Sequence, residues 1–386
     1  MSELNQILKE WRHTLHRHPE TAFEEVQTAA FVAEKLREMG MEVFTGIGKT
    51  GVVGRLTVGE GVRTVALRAD MDAIHLTEEN DLPYKSECSG KMHACGHDGH
   101  TTTLLGAAKL LSESRDFDGT VLFLFQPAEE PGKGARAMLA DGLLERFPMD
   151  EIYGLHNTIA HRAGTVGICK GGFCSSEDNF RIVIHGRGGH ASSPEKTVDP
   201  LVIAAQIILA LQTIPSRSAP ASQPVVVSCT ELFTDGAHNA IPSNVTILGD
   251  CRSYAREMQE LIENRMHDIV EGICKAGGAA FEFSYTHEFA PTVNWDAQVD
   301  AVVQAASHLL GEDHVDSSCA PFMASEDFGV FLEKVPGAFF FLGGGVGDSE
   351  KDFPLHNAHF NYNDEVLETG ARVLAQIVRE RLPSLE

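Results

Sequence analysis

The chain has 386 residues, of which 43% are hydrophobic and 22% charged, and its excess of acidic over basic residues gives a formal net charge of -24. Because a single hydrophobic core stops growing at about 250 to 300 residues, this length predicts two domains. The negative charge repels phosphate backbones and anionic lipid surfaces, so neither nucleic acid nor a membrane is an expected partner.

The sequence also predicts a location. It contains no apolar run that we judge long enough to span a bilayer and no charged-then-apolar leader, so we expect a soluble, cytoplasmic protein. Eight cysteines are scattered along the chain without the density of a disulfide framework. Reduced thiols are expected in the same compartment.

The N-terminal half alternates helices and strands. Apolar spacing over residues 4–39 predicts two helices joined by a turn at Pro19. The elements that follow are predicted at strands 52–58 and 65–67, a loop 93–100, a helix 101–112, a strand 119–125, a helix 135–141 and a strand 151–155. This alternation predicts a mostly parallel α/β sheet covered on both faces, with the polar motifs along one edge.

From about Ser175 the pattern changes to a βαββαβ succession. Its elements are predicted at the strand 180–185, the helix 200–213, the strands 225–231 and 245–254, the helix 258–276 and the strand 281–285. We predict a smaller α+β, ferredoxin-like domain inserted at residues 175–291. The catalytic domain is then discontinuous and comprises residues 1–174 and 292–386.

Side chains suited to metal binding are concentrated in four motifs. They are Cys95 and His97 in HACGHDGH, Glu130 in QPAEE, His156 in GLHN and His356 in LHNAHF. Thiolate, imidazole and carboxylate bind divalent transition metals, and a catalytic site keeps one position open for water. Five such ligands can share two ions about 3.5 to 4 Å apart, whereas a single ion is the simpler alternative.

These histidines also have an ordinary explanation. The chain contains 18 of them, and a lone histidine is more often a partly buried residue with satisfied ring nitrogens. However, His97, His156 and His356 each lie at a predicted strand end or turn beside Asn, Asp or Glu. This placement favours the metal site.

Two acidic pairs complete the predicted chemistry. A turn at Pro127 would let Glu129 reach the same site as Glu130, and we assign Glu129 as the general base that moves a proton from water to the leaving amine. A solvated glutamate pair is the alternative. Asp70 and Asp72 lie two residues apart at the end of a predicted strand, so their side chains point to the same face and can orient a ligand imidazole or the base. We predict a catalytic role for Asp72 and a supporting role for Asp70. Helix capping by these aspartates is the alternative.

The segment GRGGHASSP is superficially similar to a phosphate-binding loop. Its glycines follow a strand of the inserted domain, however, and no Lys-Ser or Lys-Thr pair closes it. We therefore interpret His190 as a donor for a developing oxyanion.

The chain resembles the amidohydrolases of the hippurate hydrolase, N-acyl-amino-acid amidohydrolase and indoleacetyl-amino-acid hydrolase group, within the aminoacylase and metallo-carboxypeptidase superfamily. The resemblance covers nearly the whole chain and rests on eight motifs in this order: WRHTLHRHPETAFEE, ALRADMDA, HACGHDGH, FQPAEEPGKGA, GLHN, GRGGHASSP, HNAIP and MASEDFG. It implies a two-metal, zinc-peptidase-like catalytic domain with an inserted lid or dimerisation domain. It also implies metal ligands at the five positions named above, and Glu129 as the general base.

The resemblance implies further roles in the inserted domain. His190 would reach an active site, commonly that of a partner subunit, so we expect a homodimer or a higher homo-oligomer. Asn239 and Arg252 would grip the substrate's α-carboxylate, for which guanidinium offers a bidentate fork. A plain surface position is the alternative for Arg252. Glu326 in MASEDFG is expected to support the site as Asp70 does.

The chain departs from the family pattern after ALRADMDA. Relatives typically continue with Leu-Pro, whereas this chain has Ile74, His75 and Leu76. The additional His75 could tune specificity or simply face solvent.

These observations predict a metal-dependent hydrolase that cleaves N-acetyl, N-benzoyl or similar conjugates of amino acids to a carboxylic acid and a free amino acid. Alternatives are a dipeptidase or carboxypeptidase of the same superfamily and a non-catalytic acyl-amino-acid binding protein. Mn and Zn are the expected metals, and Ni and Co are accepted by the same ligand set. Oxidation of Cys95 would disable the site, which we expect as a vulnerability and not as a function.

Overall fold

The structure of the chain, a computed structural model, describes residues 2–348 and 352–384. It divides into a larger unit, Met1–Phe173, Val293–Pro321 and Asp327–Glu386, and an inserted unit, Cys174–Thr292 and Phe322–Glu326. The strands are β1 Glu42–Ile47, β2 Gly51–Val58, β3 Thr64–Asp70, β4 Gly119–Gln126, β5 Glu151–Arg162, β6 Val166–Gly167, β7 Gly171–Cys174, β8 Glu177–His185, β9 Gly189–His190, β10 Val225–Thr234, β11 Ala240–Ile241, β12 Asn244–Ser253, β13 Ala280–Phe289, β14 Thr292–Asn294, β15 Val315–Asp316 and β16 Gly337–Gly345. The α-helices are α1 Glu3–Arg17, α2 Val26–Glu38, α3 His97–Ser114, α4 Gly134–Ala140, α5 Leu143–Arg146, α6 Pro200–Leu211, α7 Arg256–Gly277, α8 Asp296–Leu310, α9 Gly329–Leu332 and α10 Leu367–Arg381.

An eight-stranded sheet, of order β1-β2-β4-β3-β5-β16-β6-β15 in the described residues, forms the larger unit. The central strands β4, β3, β5 and β16 are parallel, and β1 and β2 run antiparallel at one edge. Residues 121–125 of β4 are all buried, as expected for a strand whose two faces are both covered. The predicted mostly parallel α/β sheet is confirmed.

The register of this sheet determines where the polar motifs leave it. In the parallel pair of β3 and β4, Asp70 lies opposite Gln126. The segments that follow these strands, residues 71–72 and 127–130, therefore leave the sheet side by side at the same edge. This is the edge at which parallel α/β sheets bind ligands.

The inserted unit contains a four-stranded antiparallel sheet of order β10-β12-β8-β13. Its helices α6 and α7 contact each other and this sheet. Ile182, Ile207 and Ile262 are fully buried in the resulting core. The order of the elements and of the strands is the ferredoxin-like arrangement that the βαββαβ pattern predicts, so this part of the fold is also confirmed.

The expectation that no apolar run is long enough to span a bilayer does not hold by length and composition alone. Residues Pro200–Ser218 form a helical segment long and apolar enough to cross a membrane by length and composition, with a mean hydropathy of 1.3. Ile203, Ile207 and Leu211 of this segment are buried in the core of the inserted unit. Leu201, Val202 and Leu209 of the same segment are exposed, so only one side of the helix packs against this core.

The segment Phe322–Glu326 groups with the inserted unit, whereas all of residues 292–386 were predicted to belong to the catalytic domain. Its backbone explains the grouping, because the Ser175 amide donates to the carbonyl oxygens of Phe322 and Ala324 at 3.2 and 3.0 Å. The Arg252 guanidinium also donates to Ser325 Oγ at 2.6 Å.

Candidate metal centre

The HACGHDGH segment, predicted as a loop, is a loop only in its first half: residues 93–96 are not helical, whereas residues 97–100 form the first turn of α3. The helix begins at His97, four residues before the predicted start at Thr101. Gly96 allows this early start because its φ of 96° is left-handed, and a Cβ there would lie 2.4 Å from Asn157 Oδ1. Cys95 and His97 therefore lie on either side of Gly96, the residue that precedes the helix, and the conformation of Gly96 fixes their relative position.

His97 is oriented by the segment that follows β3. Its Nδ1 donates to the Asp72 carbonyl oxygen at 2.8 Å, so the proton of the neutral ring lies on Nδ1. Its Nε2 is buried and has no hydrogen-bond partner in the described chain. In the neutral ring the Nε2 lone pair would therefore be available to a metal ion, as in a metal-ligating imidazole.

His156 presents its ring in the same manner. Its Nδ1 donates to the Asn157 carbonyl oxygen at 2.7 Å, and its Nε2 lies 3.4 Å from Cys95 Sγ. The predicted end of this strand at Leu155, just before His156, is wrong. β5 continues to Arg162 because residues 152–158 and 162 pair with β16.

The turn after β4 brings the two glutamates together. The Glu129 and Glu130 amides donate to Asp72 Oδ1 and Oδ2 at 3.0 and 3.1 Å, so one carboxylate holds both residues. Gly134 is required to close this turn, since a Cβ there would lie 1.6 Å from the Pro127 carbonyl oxygen. As a result Glu129 Oε2 and Glu130 Oε1 lie 3.9 and 4.0 Å from His97 Nε2.

His356 reaches the same group from the C-terminal part of the larger unit. Its backbone amide donates to the Ala94 carbonyl oxygen at 2.8 Å, and its φ is 62°. The Nε2 atom lies 3.4 Å from Glu130 Oε2, and the side chain is 55% exposed. His356 is thus the most open of the five predicted ligands.

The five predicted ligands form two overlapping groups. Cys95, His97 and His156 form one, Cys95, Glu130 and His356 form the other, and within each group the ligand atoms lie within 4.8 Å of one another. Two buried atoms at the centre, His97 Nε2 and Glu130 Oε1, have no hydrogen-bond partner in the described residues. Buried polar atoms are rarely left unpaired, so their position fits a site for divalent metal ions.

The charges of the site also suit a cation. Burial, reinforced by the Glu130 carboxylate, raises the pKa of the Cys95 thiol to about 12. Burial would lower the pKa of His97, but the Asp70 carboxylate raises it well above its ordinary value. Burial and the neighbouring His100 lower the pKa of His156. A bound divalent ion would replace the protons of Cys95 and of His97 Nε2.

Asp70 and Asp72 both face His97, which is the arrangement predicted for two carboxylates at a strand end. Asp70 Oδ1 and Asp72 Oδ1 lie 3.9 and 3.3 Å from His97 Nδ1. Burial would raise the pKa of Asp70, but His97, His100 and Arg68 lower it well below its ordinary value. Asp72 thus connects a predicted ligand to the turn that carries the predicted base.

Several supporting residues were not singled out from the sequence. His100 bridges the site, with Nδ1 2.6 Å from Asp70 Oδ1 and Nε2 2.6 Å from Asn157 Oδ1. Glu25 is fully buried and accepts a hydrogen bond from the Ala128 amide at 2.8 Å. The spacing of HACGHDGH could have indicated His100, because it follows His97 by one helical turn. Nothing in the sequence separates Glu25 from the adjacent Glu24.

The inserted unit brings His190 and Asn239 together. The short strands β9 and β11 pair His190 with Ala240, and the Ala191 amide donates to the Asn239 carbonyl oxygen at 3.0 Å. Both residues are exposed. The Ser192 amide donates to His190 Nδ1 at 3.2 Å, so the proton of the neutral ring lies on Nε2. His190 can therefore donate a hydrogen bond from Nε2.

Arg252, Glu326 and His75 are the remaining predicted residues. Arg252 is partly buried, with Nη1 2.9 Å from Glu177 Oε2 and Nε 2.9 Å from Asp250 Oδ1, so its guanidinium is ion-paired within the inserted unit. Glu326 is buried in the inserted unit, and its carbonyl oxygen accepts from Thr292 Oγ1 at 3.3 Å. His75 is exposed, which agrees with the solvent-facing alternative.

Comparison with known proteins identifies the family. A model of peptidase family M20/M25/M40 matches residues 66–380. The chain is 42% identical to the hippurate hydrolase of Campylobacter jejuni over 96% of this chain and 95% of that protein. It is 36% identical to thermostable carboxypeptidase 1 of Saccharolobus solfataricus over 96% and 94% of the two chains. The crystal structure of a dinuclear metal-binding peptidase of the M20 family from Bacillus subtilis matches with a TM-score of 0.86 and 32% identity, covering 99% of each chain. The chain therefore belongs to peptidase family M20/M25/M40, within which it is a metal-dependent amidohydrolase.

Proposed function

We propose that this protein hydrolyses the amide bond of N-acyl amino acids, such as N-acetyl and N-benzoyl conjugates, to a carboxylic acid and a free amino acid. The observation that carries the proposal is the position of Glu129 beside the two ligand groups, 3.9 Å from the unshared Nε2 of His97. The 42% identity to a hippurate hydrolase supports the acyl-amino-acid substrate class, since hippurate is N-benzoylglycine.

The five residues Cys95, His97, Glu130, His156 and His356 would hold the metal. Two overlapping ligand groups that share Cys95 support two ions, with Mn or Zn first and Ni or Co as further candidates. Divalent ions bound there would act as Lewis acids that polarise the amide carbonyl and lower the pKa of a water molecule.

Glu129 is the proposed proton carrier. Its side chain is almost fully buried, and its backbone is held by Asp72, so its carboxylate has a restricted position. It takes a proton from the attacking water and delivers that proton to the amide nitrogen as the carbon–nitrogen bond breaks. Asp72 acts through two contacts, by holding this turn and by facing the His97 ring.

The inserted unit supplies the proposed substrate contacts. His190 donates from Nε2 to the oxygen of the amide carbonyl as negative charge develops on it, consistent with the proton position set by Ser192. Arg252 and Asn239 grip the α-carboxylate of the amino acid. As part of this proposal the protein is a homodimer or a higher homo-oligomer in which His190 serves a partner subunit's site.

A second candidate is a carboxypeptidase or dipeptidase that acts on peptides. The 36% identity to thermostable carboxypeptidase 1 favours it, and a peptide presents the same amide and α-carboxylate to the site. A non-catalytic binding protein is disfavoured, because binding alone requires neither Glu129 nor His190.

The test is amino-acid release from a panel of N-benzoyl and N-acetyl amino acids and dipeptides. Chelated protein is assayed alone and after addition of Mn, Zn, Co or Ni. We expect metal-restored cleavage of acyl amino acids at a higher kcat/KM than of dipeptides. The reverse preference would favour the peptidase, and the absence of cleavage with every metal would contradict the proposed function.

A further inference from the structure

Glu25 is a buried carboxylate close to the turn that carries the proposed base. Its side chain is inaccessible to solvent and lies just before α2. Glu25 Oε1 accepts from the Ala128 amide at 2.8 Å and from the Phe23 amide at 3.0 Å, and Oε2 accepts from Thr50 Oγ1 at 2.6 Å. Three donors therefore compensate for the burial of one charge.

The contact to Ala128 belongs to a continuous set. The amides of Ala128, Glu129 and Glu130 are consecutive, and each donates to a carboxylate oxygen, the first to Glu25 and the next two to Asp72. Glu25 and Asp72 thus hold every amide of the Ala128-Glu129-Glu130 turn. Asp72 also faces the His97 ring, whereas the Glu25 carboxylate accepts hydrogen bonds from Phe23, Thr50 and this turn.

The geometry of Ala128 shows why the turn needs this bond. Ala128 has a φ of 50°, in the left-handed region, where the Cβ of an L-residue crowds the backbone and disfavours the conformation. The side chain of Ala128 is apolar and fully buried, so it forms no hydrogen bond that could hold this conformation. A hydrogen bond from its amide to a fixed, charged acceptor offsets the cost of this conformation.

We propose that Glu25 is a positioning residue for the hydrolysis, acting through the Ala128 amide on the carboxylate of Glu129. This inference rests on the proposed function, because it takes Glu129 as the proton carrier. The hydrogen bonds that the Glu25 carboxylate accepts come from Phe23, Thr50 and Ala128 and from none of the five predicted ligands, so it acts on the backbone from which Glu129 projects. A shift of about 1 Å in a reacting group is enough to reduce a rate on the order of 100-fold.

In this proposal Glu25 acts by accepting the hydrogen bond from the Ala128 amide and not through its negative charge. Substitutions at position 25 can separate these two properties. A glutamine keeps an oxygen acceptor at the same reach, whereas an aspartate keeps the charge but is one methylene shorter. Glu24 offers a matched control. It is the adjacent residue of the same type, is exposed, and bonds to Thr21 Oγ1 and Lys91 at 2.9 and 2.7 Å.

The experiment compares Glu25→Ala, Glu25→Gln, Glu25→Asp and Glu24→Ala with the wild type, each loaded with the metal that supports the highest activity. kcat, KM and bound metal are measured for amide hydrolysis. For Glu25→Ala we expect kcat to fall about 30- to 100-fold, with KM and bound metal within about threefold of the wild type. Glu25→Gln should recover kcat to within about threefold, and Glu24→Ala should match the wild type.

Three results would overturn the proposal. They are an unchanged kcat in Glu25→Ala, a kcat in Glu25→Gln as low as in Glu25→Ala, and a loss of bound metal in proportion to the loss of rate. If Glu25→Ala does not fold, the comparison of Glu25→Gln with Glu25→Asp decides, since only the glutamine variant should be active. Failure of the proposed function would appear differently, as absent acyl-amino-acid cleavage in the wild type and in Glu24→Ala alike.

Discussion

The two units carry their predicted functional residues in opposite ways. In the larger unit His97 is fully buried and its Nδ1 is held by a backbone carbonyl oxygen. In the inserted unit His190 and Asn239 are exposed; His190 lies on the short strand β9 and Asn239 in the turn just before β11. This contrast in burial indicates which task the functional residues of each unit can perform. Buried, oriented groups can hold ions and a base at fixed positions, whereas exposed groups on a small domain suit contact with a substrate that enters and leaves.

This contrast predicts different effects for substitutions at the functional residues of the two units. Changes at the predicted ligands and at Glu129, in the larger unit, should alter the chemical step or the bound metal. Changes at His190, Asn239 or Arg252, in the inserted unit, should alter turnover while the metal content stays constant.

The largest effect is expected for Glu129→Gln. Loss of the proton carrier should lower kcat on the order of 10³- to 10⁴-fold, while bound metal stays equal to the wild type because Glu129 is not among the five predicted ligands. Metal analysis and steady-state kinetics on the same samples check this. Full activity in this variant would remove Glu129 from the mechanism.

For His190→Ala we expect kcat to fall about 10²- to 10³-fold, the usual consequence of removing one oxyanion donor, with unchanged metal content. A mixture of His190→Ala and Glu129→Gln subunits sharpens the test. If His190 serves a partner subunit, mixed dimers regain activity that neither variant has alone. Loss of metal in His190→Ala would break the distinction between the two units.

Cys95→Ala should weaken metal binding by more than about 100-fold. Mutation of a residue that only supports a ligand already lowers metal affinity about 10- to 100-fold, and Cys95 is a predicted ligand itself. Cys95 is shared by both ligand groups, so the number of bound ions should fall as well. Titration with Mn or Zn and inductively coupled plasma analysis measure both quantities. Cys274→Ala, which removes a buried thiol of the inserted unit, is the matched control.

The smallest effect is expected at Glu151, in the larger unit at the opposite end of β5 from the metal centre. Burial would raise its pKa, but hydrogen bonds and charge from Arg381, with Arg63, lower it to about 2. An unfolded glutamate titrates near its ordinary value of about 4.3, so the ionised form contributes stability above that pH. This contribution is lost as the pH falls toward 2.

Glu151→Gln should therefore lower the free energy of unfolding by about 2 kcal/mol at neutral pH, with unchanged metal content and kcat. The difference from the wild type should shrink as the pH falls below about 4.3. Urea denaturation at a series of pH values measures it. A difference that grows on acidification would contradict the assignment.

How much could be predicted differs between the fold and the site. The alternation of strands and helices was sufficient to predict the parallel sheet, and the βαββαβ order was sufficient to predict the ferredoxin-like unit. Both patterns can be recognised from the local sequence. β1 was missed since its exposed, mixed residues lack the apolar pattern of a strand. The length of β5 was missed because its continuation past Leu155 depends on pairing with β16, which lies far along the chain.

At the site, residue types and motif spacing were enough to select the five candidate ligands and Glu129, and the structure brings them together. Tertiary partners could not be selected in the same way. The carbonyl oxygen of Asp72 orients His97, and the carboxylate of Glu25 holds Ala128, and both contacts join segments distant in sequence. Only the fold reveals that Glu25 points inward and Glu24 outward.

The most direct test of this account is a metal titration of the chelated wild-type protein with hippurate hydrolysis and bound ions measured on the same samples. We predict that the chelated protein is inactive, that activity rises with metal binding, and that it saturates at two ions per chain. Full hydrolysis by metal-free protein would contradict the metal-dependent mechanism. Saturation of activity at one ion per chain would contradict the two overlapping ligand groups as a dinuclear site.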